Sequence, residues 1–174
     1  MTPLPGALGG RELVAWRIEA TRHFPGWQAA EGAFRVGGRW SSAGARVLYT
    51  SIDPSTAIAE VAVHKGLSTL DTVAHTLIEI GIADPSKVHR VAAGSVPNPN
   101  WLRPGTVSAG QQAFGDALLA AHALVLIPSV VSTHSWNLLI DVSAAAGLFK
   151  LRRSEPFALD PRLNRVAQPA SARP

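Results

Sequence analysis

RVGGRWSSAGARVLYTSIDPSTAIAEVAVHK, residues 35–65, is the stretch from which the fold of this chain can be read. It opens with a basic, glycine-rich loop and passes through a short apolar run, VLYTS (47–51). A turn at Asp53-Pro54 then leads into a segment with one carboxylate, Glu60, among small and apolar residues. The run reads as a strand whose residues alternate between faces: Val47, Tyr49 and Ser51 on one, Leu48 and Thr50 on the other. Asp53 is a good N-cap and proline is favoured at the first helical position, which predicts a helix over 55–65 that stops at Gly66. Gly37 and Gly38 let a ligand approach the main chain, and Arg39 between Gly38 and Trp40 could grip a phosphate or carboxylate through its planar fork of donors. The loop lacks the GK[ST] ending of a Walker loop. Taken locally, it equally fits a tight hairpin with a surface arginine. Tyr49 reads either as core with a satisfied hydroxyl or as a pocket wall. Glu60 reads as an exposed residue, as an i,i+4 partner of His64 worth a few tenths of a kcal/mol, or as a carboxylate facing a cleft.

Towards the N-terminus, LVAWRI (13–18) reads as a strand with Arg17 near its end, preceded by a Pro- and Gly-rich lead-in over 1–12. Residues 19–34 read as loop, with a short helix around 27–31. Towards the C-terminus, 67–73 stays open, 73–82 reads as a strand, 88–93 as a shorter one, and 95–105 as a Pro/Asn loop. An apolar stripe predicts a helix over 108–122, weakened by Gly115. The strand over 123–131 is interrupted at Pro128, so Ser129 falls at a bend. Residues 133–142 read as a turn followed by a short helix or strand. The tail is broken by Pro156 and Pro161, and 164–174 reads as frayed. Neither repeats nor an interdomain linker appear, so the expectation is one domain.

With 47% hydrophobic and 16% charged residues in 174, the chain has enough apolar surface to fold. It has no apolar run of membrane-spanning length, no secretory leader pattern and no cysteine, and the expectation is a cytoplasmic protein with no membrane partner. A net charge of +4 suits anionic partners, yet no block of Lys or Arg resembles a nucleic-acid arm, and no direct nucleic-acid contact is expected. The 6 histidines (His23, His64, His75, His89, His122 and His134) are scattered without zinc-ligand spacing, which argues against a metal site. Ser129 lies in no GxSxG elbow. A more coherent set is Arg17, Arg39, Tyr49 and Glu60, joined by Ser129. Breaking a nucleotide's N-glycosidic bond builds positive charge on the sugar, and that transition state calls for a carboxylate, an aromatic wall and arginines for the diphosphate.

These residues lie in blocks that resemble the RES-domain family. The clearest is GGRWSSAGARVLYTSIDPSTAIAEVAVH (37–64), similar to the family's GGRWN, G-x-x-VLY-x-S and A-x-x-E-x-x-x-H elements. Trp16-Arg17, Gly115-Asp116, PSVV (128–131), Asn137-Leu138-Leu139 and PFALDPRL (156–163) follow in the family's order, so the resemblance covers about 13–163. It implies an α+β fold: a compact, split mixed β core with flanking helices, resembling the ADP-ribosyltransferase (diphtheria-toxin type) fold. It also implies a toxin of a bacterial type II module, neutralised by a helical, Xre-like antitoxin, and leaves open whether the toxin forms a homodimer inside the complex.

The implied chemistry is consumption of NAD, a substrate rather than a recycled cofactor, through cleavage of the nicotinamide–ribose bond by water or inorganic phosphate. Carried over by motif, Arg17 and Arg39 would hold phosphates or ribose, and Tyr49 would line the nicotinamide–ribose region. Glu60 would stabilise the reacting ribose, Ser129 would bond the ligand or organise the pocket, and Asn137 would support them. The chain departs from the pattern at Ser41, Ile18, Asp141 and Val142, where relatives carry Asn, Tyr, Asn and Pro. The alternatives are ADP-ribosylation of a protein by the same pocket and a basic, non-enzymatic binding module.

Overall fold

The alternating run at 47–51 is a strand at the centre of a seven-stranded mixed sheet. A computed structural model of the chain describes residues 13–164; the lead-in over 1–12 and the tail from 165 onward lie outside them. The strands are β1 (Leu13–Ala20), β2 (Val47–Ser51), β3 (His75–Ile82), β4 (Val88–Arg90), β5 (Leu124–Pro128), β6 (Trp136–Asp141) and β7 (Phe149–Phe157), in the order β4-β5-β6-β2-β1-β3-β7. Only β4 and β5 run parallel. The helices are α1 (Glu31–Val36), α2 (Pro54–Lys65), α3 (Leu67–Thr72) and α4 (Ala109–Ala121).

The central strands bury side chains on both faces. Leu48, Leu124, Leu126, Leu138 and Ile140 join Ala15, Ile78 and Ile80 in one cluster, closed by Trp27. Val47, Val125, Ile127 and Leu139 point the other way, into a cluster with Trp40 and with Leu119 of α4. This is the period-2 pattern of a strand covered on both sides, as expected for Val47 and Leu48. A third cluster, Ile18, Leu70 and Leu159, seats α2 and α3 against β1 and β3. Asp53 caps α2 by accepting from the Thr56 N–H at 2.7 Å, and the helix ends at Gly66, matching the sequence expectation.

The centre of the sheet is split. β1 pairs with β3 along its whole length, from Leu13 opposite Ile82 to Ala20 opposite His75, and β2 pairs with β6 over all five residues. β1 and β2 themselves meet only at Trp16 opposite Ser51. Beyond that point they part, and the ends carrying Arg17, Ile18 and Tyr49 diverge.

Several segments differ from the sequence expectation. Residues 19–34 are not loop: β1 runs on to Ala20, a 3-10 segment follows over Thr21–Ala29, and then α1. Pro25 and Gly26 kink this stretch without ending it, because buried Trp27 anchors it in the core. Residues 67–72 form α3, and 136–141 form a strand. The tail broken by Pro156 is one continuous strand, β7. It lies at the sheet edge and pairs only with β3, where a proline removes no needed hydrogen bond. Among the described residues no helix is long and apolar enough to cross a membrane.

Candidate active site

Where β1 and β2 part, the gap opens into a cavity of about 300 Å³ whose lining includes Arg17, Arg39, Tyr49, Glu60, Lys65 and Asn137. All the residues singled out from the sequence except Ser129 reach its wall, and Ser129 touches one that does.

Glu60 points from α2 into this cavity. Its Oε1 accepts a hydrogen bond from Ser129 Oγ at 2.9 Å and another from Asn137 Nδ2 at 2.5 Å. Asn137 is itself held, since its Oδ1 accepts from Ser51 Oγ at 2.8 Å across the β2–β6 ladder. The Ser129 hydroxyl, almost fully buried, also accepts from the Val131 and Ser132 N–H groups at 3.2 and 2.9 Å. Ser129 is thereby committed to orienting Glu60 and turning the chain after Pro128. One carboxylate oxygen is thus locked by protein donors. The other, Oε2, has His64 Nε2 as a distant neighbour at 4.0 Å. The cleft-facing reading and the His64 pairing therefore both describe the same side chain, with the imidazole at the limit of an ion pair.

Arg17 uses its guanidinium to close the gap between the diverging strands. Nη1 donates to the Tyr49 carbonyl at 3.0 Å, while Nε and Nη2 donate to Glu19 Oε2 at 3.1 and 2.5 Å. Glu19 is missing from the sequence reading. Two residues along a strand from Arg17 it shares that residue's face, and this periodicity was the signal for it. Burial works to raise the Glu19 carboxyl, but the Arg17 charge and hydrogen bond, with Lys65 adding, hold it below its ordinary value. With Arg17 matched by Glu19, the cations of the lining left to meet an anion are Arg39 and Lys65.

A carboxyl whose folded ionisation lies below its unfolded one stabilises the fold above the unfolded value near 4.5, and loses that contribution as pH falls through the folded value. Wild type is therefore expected to exceed Glu19→Gln in stability at pH 7, with the gap narrowing steadily below pH of about 4.5. Urea midpoints for both proteins across pH 3 to 7 read this directly. A gap that stays constant with pH would show that Glu19 is not held as a carboxylate by Arg17.

Tyr49 lies beneath the 38–41 hairpin. Its hydroxyl accepts from the Trp40 N–H at 3.0 Å and shares a proton with Ser41 Oγ at 2.9 Å. The fit is close: a Cβ built on Gly38 would come within 2.4 Å of the Tyr49 oxygen. Burial raises the phenol's ionisation more than the Ser41 and Trp40 hydrogen bonds lower it, so Tyr49 keeps its proton at neutral pH. Both readings of Tyr49 hold at once, for its hydroxyl is satisfied by protein and the residue also lines the cavity. Ser41 is fully buried and supplies that contact.

Arg39 crowns the hairpin, with Nη2 donating to the Gly105 carbonyl at 3.1 Å. The hairpin is held from behind by α4. Gln112 Nε2 donates to the Gly38 and Ser41 carbonyls, and Asp116 accepts from the Ser42 N–H and hydroxyl. Gly115 brings the helix against the Trp40 backbone. From the sequence, Gly115 reads as a local weakness of the helix and, with Asp116, as a family block, whereas Gln112 carries no signal. Among the described residues no group of three or more His, Asp or Glu side chains could hold a metal ion.

Chemically, the cavity joins an oriented carboxylate, an aromatic wall and two cations on opposing elements. A family model for the RES domain matches residues 14–160. Among solved structures, one chain of the M. tuberculosis MbcT–MbcA toxin–antitoxin complex aligns with a TM-score of 0.69 and 20% sequence identity, covering 87% of this chain and 86% of that one. At that identity the likeness is one of fold, and it is the α+β, split mixed-sheet type that the sequence implied. No curated protein sequence matches the chain.

Proposed function

Because the chain belongs to the RES-domain family, we propose that it is the toxin of a toxin–antitoxin pair and that it degrades NAD by cleaving the nicotinamide–ribose bond. One observation carries this reading: Glu60, with Oε1 fixed by Ser129 and Asn137, faces the same cavity as Arg39, Lys65 and the Tyr49 ring.

In the proposed reaction the bond between ribose C1 and the pyridinium nitrogen breaks, its electron pair leaving with neutral nicotinamide. Positive charge spreads over C1 and the ring oxygen. A carboxylate pre-oriented by neutral donors stabilises that charge without having to reorganise, and Oε2 is also available to accept from a ribose hydroxyl. Water completes the reaction by adding to C1 and losing a proton, giving ADP-ribose. Inorganic phosphate adding instead gives ADP-ribose phosphorylated at C1. Arg39 and Lys65 meet the diphosphate, while Tyr49 walls the nicotinamide–ribose end. NAD is consumed, and no recycled cofactor is needed. The reading puts the protein in the cytoplasm with NAD, where a cognate antitoxin protein restrains it; the MbcT–MbcA complex is the support for such a partner.

The test is nicotinamide release from NAD by the purified chain free of antitoxin, with and without inorganic phosphate. Release in buffer alone means hydrolysis; release that depends on phosphate, with the sugar phosphate as second product, means phosphorolysis. Release only on adding lysate, with label from NAD carried onto a protein, would turn the reading to ADP-ribosylation. No release under any of these conditions rejects it.

A further inference from the structure

Arg39 reaches the cavity from a hairpin that makes little backbone pairing of its own: Gly38 and Ser41 form an isolated bridge. Its shape comes from α4. Asp116 Oδ1 takes the Ser42 N–H at 3.0 Å and Oδ2 takes the Ser42 hydroxyl at 2.6 Å, a two-point hold on the residue that leaves the hairpin. One turn earlier, Gln112 Nε2 spans the Gly38 and Ser41 carbonyls at 3.0 and 3.2 Å, drawing the two arms together. Trp40, between Arg39 and Ser41, is almost fully buried and packs edge-on against Phe114 of the same helix. Beyond the Tyr49 hydroxyl, the Gly105 carbonyl and the strand residues around Trp40, the side-chain hydrogen bonds that fix the hairpin backbone come from α4. Arg39 has one protein hydrogen bond among the described residues, to Gly105, which leaves most of its fork for a ligand.

We propose that Asp116, together with Gln112, is a positioning residue for the nicotinamide-cleaving reaction, acting through the 38–42 hairpin to fix where Arg39 presents its guanidinium to the anionic part of the substrate. This rests on the NAD reading above. Asp116 touches Ser42 rather than the substrate, so its effect falls on substrate binding and passes through Arg39.

Asp116→Ala is expected to raise KM for NAD about tenfold while kcat stays within about twofold of wild type. Asp116→Asn, whose carboxamide can accept from the Ser42 N–H and donate to its hydroxyl, restores KM. In an Arg39→Ala background Asp116→Ala adds less than about twofold, because the group it positions is gone. An equal factor in both backgrounds, or a fall in kcat at unchanged KM, overturns the proposal. Gln112→Ala carries the same KM signature if Asp116→Ala fails to fold.

Hydrogen exchange of the Ser42 amide needs no substrate: it speeds up in Asp116→Ala and not in Asp116→Asn, and unchanged exchange overturns the hold on the hairpin. Faster exchange in a protein whose wild type releases no nicotinamide would uphold the positioning and reject the NAD reading alone.

Discussion

Replacing Glu60 by alanine is expected to reduce nicotinamide release about a thousandfold while the protein stays folded. The size follows from the role: removing one pre-oriented group that stabilises transition-state charge costs on the order of a hundred- to a thousandfold, and here it carries a full charge. The structural cost is smaller. Alanine strips the acceptor from Ser129 Oγ and Asn137 Nδ2, and leaving two donors short costs about 2 kcal/mol. Glu60→Gln separates the two effects. Its amide oxygen can keep both hydrogen bonds, so its melting temperature should match wild type, while the loss of charge removes turnover. Steady-state nicotinamide release and thermal melts on all three proteins make the comparison. Glu60→Gln within tenfold of wild type would take the carboxylate out of the mechanism.

The largest expected loss of stability comes from adding a single methyl at Gly115. A Cβ there would sit 2.1 Å from the Trp40 carbonyl oxygen and 2.6 Å from its carbon. These are backbone atoms, so no side chain can swing away, and α4 or the hairpin must move. Overpacking of this kind costs about 3 kcal/mol, or a melting temperature lower by about 6–12 °C in a domain of this size. Because the displaced segment carries Arg39, activity should fall along with stability. Thermal denaturation of Gly115→Ala checks it, and a melt within about 2 °C of wild type would mean that the helix does not rest on Trp40.

The contrast between Glu60 and Gly115 shows what was legible in the sequence. Glu60, Arg39 and Tyr49 lie close along one stretch, with an N-cap at Asp53 and a stop at Gly66 that fix the orientation of α2. Local rules were enough to suggest that they belong together. Arg17 joined them on its chemistry alone, and Asn137 needed the family pattern, because only pairing across strands brings these two to the same gap. Glu19 was within reach, since the strand period already placed it beside Arg17. Gln112 was not, and Asp116 stood out only as part of the Gly115-Asp116 family block with no role attached: their partners lie some seventy residues away, and no periodicity records such a contact. A glycine inside a helix always costs propensity, so Gly115 was a hint that something packs there, but it could not say what. β7 was obscured by Pro156, because whether a proline is tolerated in a strand depends on its place in the sheet, and the sequence does not show which strand is the edge.

The seam between β1 and β2 also bears on how the protein is made. The chain visits the two sides of that seam by turns: β1, across to β2, back to β3, across for β4, β5 and β6, and back once more for β7. Neither side is a continuous piece of sequence, and β7, which shields β3, comes last among the strands of the described residues. The cleft needs Arg17 from one side and Asn137 from the other, so a nascent chain released before β6 lacks a wall of it. One released before β7 leaves β3 bare along its outer edge. The cleft is thus a late product of the order in which the strands occur: it closes only once β6 has joined β2 opposite β1.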